Sequence, residues 1–149
     1  MLNRIPLSQV ADILNDWWQL GSSARLSGAR LTPDVVADSA REAGIHVEVE
    51  PIASWEHRTD LDLLQELSER AGPLTGGLIL VTEASFDRAL GAFRLDASQF
   101  PAALLEHQAQ FEPVFNGDVL LLTLEDRRVV CVHHENYLIK IAPARTSAE

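Results

Sequence analysis

The segment CVHHENY, residues 131–137, concentrates side chains that could do chemistry. It holds the only cysteine and the only tyrosine of the chain, two adjacent histidines and a glutamate. Groups of these types can form a nucleophile with its general base, or they can bind a transition metal. Whether this segment is a catalytic site, a metal site or an ordinary polar hairpin depends on the structural elements that position these side chains.

Apolar runs on both sides of this segment, RVVCVHH and YLIKIA, predict a β-hairpin. A two-residue turn at Glu135 and Asn136 is predicted, because asparagine tolerates positive φ. This register sets His134 opposite Tyr137 at the edge of the core and leaves His133 on the more mixed face. His133 is therefore the histidine that we expect to meet a ligand or partner.

Strand geometry argues against both candidate chemistries at this hairpin. Adjacent strand residues point to opposite faces, so His133 and His134 should not bind one metal ion together. Cys131 and His133 share a face, but strand rise keeps them about 7 Å apart. A mid-strand cysteine is usually a small buried apolar residue. We expect no catalytic residue, no metal and no other cofactor. If the protein were an enzyme, His133 and Glu135 are the residues that it would use.

The strand IHVEVEP places polar residues on one of its faces. His46, Glu48 and Glu50 alternate with apolar residues, so their side chains share one side of the strand. Successive residues on one face are too far apart for tight metal coordination without help from another element. The pattern is typical of the solvated face of a half-buried strand.

An acidic helix is predicted from residue 60 to about residue 71. Its outer face suits the docking of a basic protein better than acid/base catalysis. Trp55, just before the helix, and Trp18, on the first helix, are candidate aromatic anchors. The residues predicted to contact a partner are Glu48, Glu50, Trp55, Asp60, Asp62, Glu66 and His133.

Composition limits the class of protein. A chain of 149 residues with 46% hydrophobic residues suits a single globular domain, which we expect to span 1–149 with a frayed tail at 143–149. The net charge is −10, and residues 34–70 carry ten acidic residues against three arginines. Such a surface repels phosphate backbones and attracts basic proteins, so a nucleic-acid partner is not expected.

Targeting signals and catalytic motifs are both missing from the sequence. The N-terminal MLNRIPLSQV has no signal-peptide features, and no apolar run approaches the length of a membrane-spanning helix. A single cysteine cannot form an internal disulfide, which is typical of a reducing compartment. We therefore expect a cytoplasmic protein without membrane association. P-loop, GxGxxG, HExxH, CxxC and GxSxG patterns are absent, which favours a binding protein.

Periodicity predicts an α+β domain with a mixed sheet, a C-terminal antiparallel meander and about four packing helices. The strand, helix, strand order over residues 45–82 permits a parallel crossover. Three apolar runs over residues 119–142, joined by short polar connections, predict the meander.

The stretch NGDVLLLTLEDRRVVCVHHENY, residues 116–137, resembles the end of the SUKH (SMI1/KNR4-like) family of bacterial toxin-immunity domains. In that family a Gly-Asp step leads into an apolar strand, a turn and a second strand that ends near His-Glu. The matching residues are Gly117, Asp118, 119–124, His134 and Glu135. The resemblance implies a bacterial protein that neutralises a toxin without catalysis.

The leading prediction is an acidic protein-binding module, most concretely an immunity protein that occludes the active site of a cognate toxin. Two alternatives stay open. One is a small metal-dependent or hydrolytic enzyme using His133 and Glu135, and the other is a structural or regulatory subunit of a homo-oligomer. The sequence identifies neither the partner nor the oligomeric state.

Overall fold

The computed structural model describes residues 2–52 and 58–143. A seven-stranded sheet and five α-helices give an α+β fold, as predicted. The strands are β1 (Asn3–Ile5), β2 (Val47–Pro51), β3 (Gly77–Val81), β4 (Ala92–Asp96), β5 (Val119–Thr123), β6 (Arg128–His133) and β7 (Tyr137–Ile141). The α-helices are α1 (Leu7–Trp18), α2 (Pro33–Glu42), α3 (Asp60–Ala71), α4 (Glu83–Asp87) and α5 (Phe100–Gln110). Short 3₁₀ helices span Gly28–Arg30, Ala97–Gln99 and Val114–Asn116.

Local capping signals begin two of the helices, and α3 starts at residue 60 as the sequence predicts. Thr32 accepts a hydrogen bond from the backbone of Val35 at the start of α2, and Pro33 fills the first helical position. Thr59 and Asp62 form a reciprocal capping box at the start of α3. None of the described helices is long and apolar enough to cross a membrane.

The sheet has the order β1-β4-β3-β5-β6-β7-β2, and every neighbouring pair is antiparallel. The predicted meander is present as β5-β6-β7. A mixed sheet was expected from the strand, helix, strand order, but β5, β6 and β7 lie between β2 and β3. The connection through α3 therefore carries the chain across the sheet instead of forming a parallel pair.

Side chains from both faces of the central strands are buried, so the sheet has two cores. Ile79, Leu120 and Cys131 face the core covered by α1 and α2. Their neighbours Leu78 and Leu121 face the core that includes residues of α3 and α5. The continuous apolar run of residues 76–82 is typical of a strand covered on both faces, and both faces of β3 are indeed covered.

The loop of the β6–β7 hairpin is one residue longer than predicted. His133 pairs with Tyr137, so three residues, 134–136, form the connection. Asn136 adopts a φ of 69°, as three-residue hairpin loops with a left-handed third position require. The predicted pairing of His134 with Tyr137 is wrong by one position, which moves every residue of β7 to the other face relative to β6.

The two tryptophans of α1 differ in exposure, and Trp18, which was predicted to anchor a partner, is the buried one. Trp18 is 5% exposed and continues the buried stripe of Val10 and Leu14, whereas Trp17 is only partly buried. A residue eight positions after Val10 returns to the same helix face, which is why Trp18 faces the core. Trp18 is therefore not available as an anchor for a partner. Trp55 lies outside the described residues, as does the predicted frayed tail apart from Pro143.

Candidate functional site

Carboxylates gather at the end of the sheet where β3 and β6 finish and β5 begins. We call this group the acidic end. Its members come from the first turn of α2, from α4, from the residue before β5 and from the β6–β7 loop: Asp34, Glu83, Asp87, Asp118 and Glu135. Two histidines, His133 and His134, lie among them.

Asp118 holds the exposed histidine of the hairpin. Its Oδ1 accepts the backbone N–H of His134 at 2.8 Å and lies 2.8 Å from Nδ1 of the same residue. This hydrogen bond to Asp118 raises the pKa of His134 above its ordinary value, and burial, which would lower the pKa, is the smaller effect. The His134 side chain is 54% exposed, so its ring remains accessible from solvent.

His133 is the buried histidine of the pair, at 8% exposure. Its Nδ1 accepts the backbone N–H of Glu135 at 3.1 Å, and its Nε2 lies 3.1 Å from Oδ2 of Asp34. A backbone N–H can only donate, so the proton of the neutral ring is on Nε2 and is donated to Asp34. Asp34 occupies the first turn of α2, where the helix dipole favours a negative charge.

The two histidine rings stack on each other, contrary to the expectation that they would point to opposite faces. Their centroids are 4.4 Å apart at an interplanar angle of 23°. Strand alternation does not separate them because β6 ends at His133, and His134 already belongs to the loop. His134 is the exposed residue and His133 the buried one, which reverses the sequence-based assignment.

Two clefts open beside these histidines. One has a volume of about 230 Å³, is mostly apolar, and lies between the start of α2, α4 and the start of β5. Phe86, which is 37% exposed, and Asp118 contribute to its wall. The other has a volume of about 340 Å³ and is lined by Asp34, both histidines, and Tyr137, which is 43% exposed. The acidic end therefore combines negative charge with accessible apolar and aromatic surface.

Within the described part of the chain, no lysine or arginine side chain pairs with the carboxylates of the acidic end. Across residues 2–52 and 58–143 their ion pairs are with histidine alone: Asp34 with His133, and both Asp118 and Glu135 with His134. Arg41 lines the larger cleft but pairs with Asp38. Among the described residues, the negative charge at this end of the molecule is therefore balanced by histidine alone.

On the polar face of β2, by contrast, the carboxylates form ion pairs with lysine and arginine. Glu50 pairs with Arg70 at 2.9 Å and with Lys140 at 2.6 Å, and Glu48 pairs with Lys140 at 3.3 Å. The hydrogen bond from Lys140, followed by that from Arg70, lowers the pKa of Glu50. For Glu48 the hydrogen bond from His46 contributes most to a lowered pKa. The carboxylates of Glu48 and Glu50, two of the predicted contact residues, are therefore already paired within the protein.

Three residues of α3 were expected on an acidic outer face. Asp60 is buried instead, and its carboxylate accepts backbone N–H groups of Val114 at 2.8 Å and Phe115 at 3.2 Å. It fastens α3 to the 3₁₀ helix Val114–Asn116 and has no exposed carboxylate to offer. Asp62 is exposed but is committed to the capping box.

Glu66 also has internal partners. It lies 2.5 Å from Arg58 and 3.0 Å from Arg70. Burial would raise the pKa of Glu66, but the hydrogen bonds from both arginines together outweigh it and lower the pKa. Of the predicted contact residues that the structure describes, His133 alone is brought into the acidic end.

Cys131 has the surroundings of a structural residue. It is fully buried in the core beneath α1 and α2, and desolvation raises the pKa of its thiol far above the ordinary value. Its thiolate is therefore not formed near neutral pH. The expectation that Cys131 is a small buried apolar residue is confirmed.

The sequence did not identify most members of the acidic end as functional. Nothing local in the sequence links Asp34 to His133, which lies 99 residues later. Glu83 packs against Gly117 so closely that a Cβ atom at Gly117 would overlap the Glu83 carboxylate. The sequence signals that pointed here were the CVHHENY segment with His133 and Glu135, and the Gly117-Asp118 step of the SUKH resemblance.

Comparisons with known proteins add no family assignment. No protein-family model matches the sequence, and neither the curated proteins nor the solved structures give a match. The resemblance of residues 116–137 to SUKH domains therefore stays a prediction.

Proposed function

We propose that this chain is a protein-binding module for a basic partner, most concretely a bacterial immunity protein that neutralises a cognate toxin by occluding its active site. The observation that carries the proposal is the acidic end. Its carboxylates lack lysine and arginine partners among the described residues, and three of them, Glu83, Asp87 and Asp118, line an apolar cleft. That combination is suited to a basic surface that presents an apolar side chain.

The charge at this end would act in two stages. At long range the negative potential of a molecule with net charge −10 steers a basic protein toward it and raises the association rate. At contact, carboxylates such as Glu83 and Asp87 would accept charge-assisted hydrogen bonds from lysine or arginine. The cleft of about 230 Å³ beside Phe86 would take an apolar side chain of the partner and dehydrate these contacts.

Occlusion of an active site requires no chemistry from the inhibitor. A toxin that handles an anionic substrate needs a basic cleft, and the same basic residues would pair with the acidic end. The SUKH resemblance supports this location, because its matching residues Asp118, His134 and Glu135 all lie here. The proposal of an immunity function therefore rests on three features of the acidic end: its charge, its cleft and the residues that carry the SUKH resemblance.

The test is association with the product of the adjacent gene. The two proteins are co-expressed and purified, and the dissociation constant is measured by calorimetry at increasing salt concentration. We expect a complex that inhibits the toxin and weakens steeply as salt rises, because ion pairs between exposed groups are screened. Absence of a toxin-like neighbour, together with no salt-sensitive complex, would contradict the proposal.

A further inference from the structure

We propose that Asp118, His133 and His134 form a binding site for a divalent transition metal of the Zn²⁺ class. One ligand atom from each of the three side chains lies within 4.8 Å of the other two. Asp118 immediately precedes β5, His133 ends the neighbouring strand β6, and His134 is the first residue of the loop that follows. The proposal does not depend on the binding of a protein partner.

His133 already has the hydrogen bonds of a metal-binding histidine. Its Nε2–H is donated to the Asp34 carboxylate, which leaves Nδ1 as the unprotonated nitrogen. Histidines that bind metals usually donate their second ring N–H to a carboxylate or carbonyl, which fixes the ring and increases its basicity. Asp34 would supply this support, and the metal would replace the 3.1 Å hydrogen bond from Glu135.

Asp118 supplies the oxygen ligand and is itself held in place. Its Oδ1 accepts the backbone N–H of His134 at 2.8 Å, which orients the carboxylate toward the histidine pair. A set of two imidazole nitrogens and one carboxylate suits Zn²⁺ and related transition metals, whereas Mg²⁺ and Ca²⁺ prefer oxygen ligands throughout. Three protein ligands also leave a coordination position for water or for a side chain of a partner.

To complete the metal site, the side chain that has to move is His134, the most exposed of the three proposed ligands. Ligands at about 2.0–2.2 Å from a tetrahedral ion are about 3.3–3.6 Å from one another, so the three atoms, which lie within 4.8 Å of one another, must adjust to that spacing. His133 is buried and Asp118 is tied to the backbone, but the His134 side chain is 54% exposed. Rotation of the His134 ring can close the site without moving the sheet.

Metal titration of the full chain, free of any histidine tag and stripped with a chelator, tests this site. Zn²⁺ binding is measured by calorimetry and Co²⁺ binding by visible absorption, which reports the ligand geometry. We expect one ion per chain. His134→Gln and Asp118→Asn should each weaken Zn²⁺ binding at least about 10-fold, and Asp34→Asn should weaken it about 10–100-fold through loss of the carboxylate that orients His133.

The matched control is His46→Gln, which removes an exposed histidine that also pairs with a carboxylate, Glu48. This variant should bind Zn²⁺ as tightly as the wild-type chain. Circular dichroism and thermal unfolding check that each variant is folded. Folding is expected because His134 is exposed and because the amide oxygen introduced by Asp118→Asn can still accept the backbone N–H of His134. No Zn²⁺ binding by the wild type, or less than about a 10-fold loss in either His134→Gln or Asp118→Asn, overturns the proposal.

Discussion

His107 is a histidine whose two nitrogens are both satisfied inside the protein. Nδ1 lies 2.6 Å from the backbone carbonyl of Glu112, which can only accept, so Nδ1 carries the proton. Nε2 then accepts the hydroxyl of Thr82 at 3.0 Å. The ring also packs edge-on against Phe93 at 5.3 Å between centroids. This arrangement satisfies both nitrogens of the neutral imidazole without a second proton on the ring.

Acid should therefore destabilise the fold through His107. Desolvation lowers its pKa in the folded chain below the ordinary value near 6.5, so the unfolded chain binds more protons in this range. The contribution of His107 to stability is present above about pH 6.5 and is lost as pH falls through the ordinary pKa toward the folded one. Urea unfolding at a series of pH values from about 7.5 down to about 5 measures the effect.

The comparison for this prediction is His107→Gln, whose amide can also donate and accept but does not titrate. The wild-type chain should lose more unfolding free energy than His107→Gln as the pH is lowered. Equal slopes for the two proteins would show that His107 does not titrate differently in the folded state.

At the residue scale, the sequence predicts which side chains of α5 are buried, but not which residues they contact. Helical spacing puts His107 on one stripe with Phe100, Leu104 and Phe111; the first three are buried, and Phe111, just after the helix, is partly buried. Its hydrogen bond to Thr82 joins residues 25 positions apart and has no local signature. The two hairpin histidines show the same limit, because a loop longer by one residue exchanged their exposures.

At the scale of elements, Asp60 connects α3 to the segment before β5. Asp60→Ala would leave the buried N–H groups of Val114 and Phe115 without their acceptor. We expect a loss of roughly 2–4 kcal/mol in unfolding free energy, because buried donors without partners are expensive. Chemical denaturation measures it, with Asp12→Ala on the exposed face of α1 as the control. A loss for Asp60→Ala no larger than for Asp12→Ala would contradict the structural role.

A close approach between Gly91 and Ile5 sets the position of β1 beside β4. Gly91 has a φ of +80°, and a Cβ atom there would overlap the carbonyl oxygen of Ile5. Gly44 has a similar φ of +78°, but nothing lies within 4 Å of its Cβ position. A comparison of alanine substitutions at Gly91 and Gly44 therefore distinguishes the cost of backbone strain from the cost of steric overlap.

Gly91→Ala should destabilise the protein more than Gly44→Ala. The left-handed conformation alone costs about 1–2 kcal/mol in either variant. Contact with the Ile5 backbone should add about 1–3 kcal/mol for Gly91→Ala, by analogy with overpacked cores. Thermal and urea unfolding of both variants give the difference, and equal losses would mean that β1 moves aside without cost.

Helix starts and buried strands followed from local rules, whereas the pairing of distant strands did not. Thr59 with Asp62 and Thr32 with Pro33 are signals contained within a few residues, so α2 and α3 were predictable. β1 has three residues, too few for a periodic pattern, and it was not predicted. β2 joins the sheet beside β7, a pairing of residues far apart in the chain that periodicity cannot assign.

At the scale of the whole molecule, the acidic residues have two different uses. On β2 and α3 they form internal ion pairs with Arg58, Arg70 and Lys140. At the acidic end their partners among the described residues are histidines and backbone N–H groups. The sequence indicated an acidic binding surface from charge counts, but the paired and available carboxylates could be distinguished only in three dimensions.

The central claim is that the location of negative charge, and not its amount, determines partner binding. Two triple variants with the same net charge test it against the adjacent gene product. One removes charge from the acidic end: Glu83→Gln, Asp87→Asn and Glu135→Gln. The other removes charge elsewhere on the surface: Glu42→Gln, Glu69→Gln and Glu125→Gln. Neither set includes the three proposed metal ligands, so loss of partner binding is not confused with loss of metal.

The decisive measurement is the dissociation constant of each triple variant at one fixed salt concentration. We predict that the acidic-end variant binds at least about 10-fold more weakly than the wild type, because close charge pairs contribute strongly to complexes. The control variant should stay within about 2-fold of the wild type, since isolated exposed charges contribute little. Equal weakening of both variants, or no weakening of either, would contradict the account.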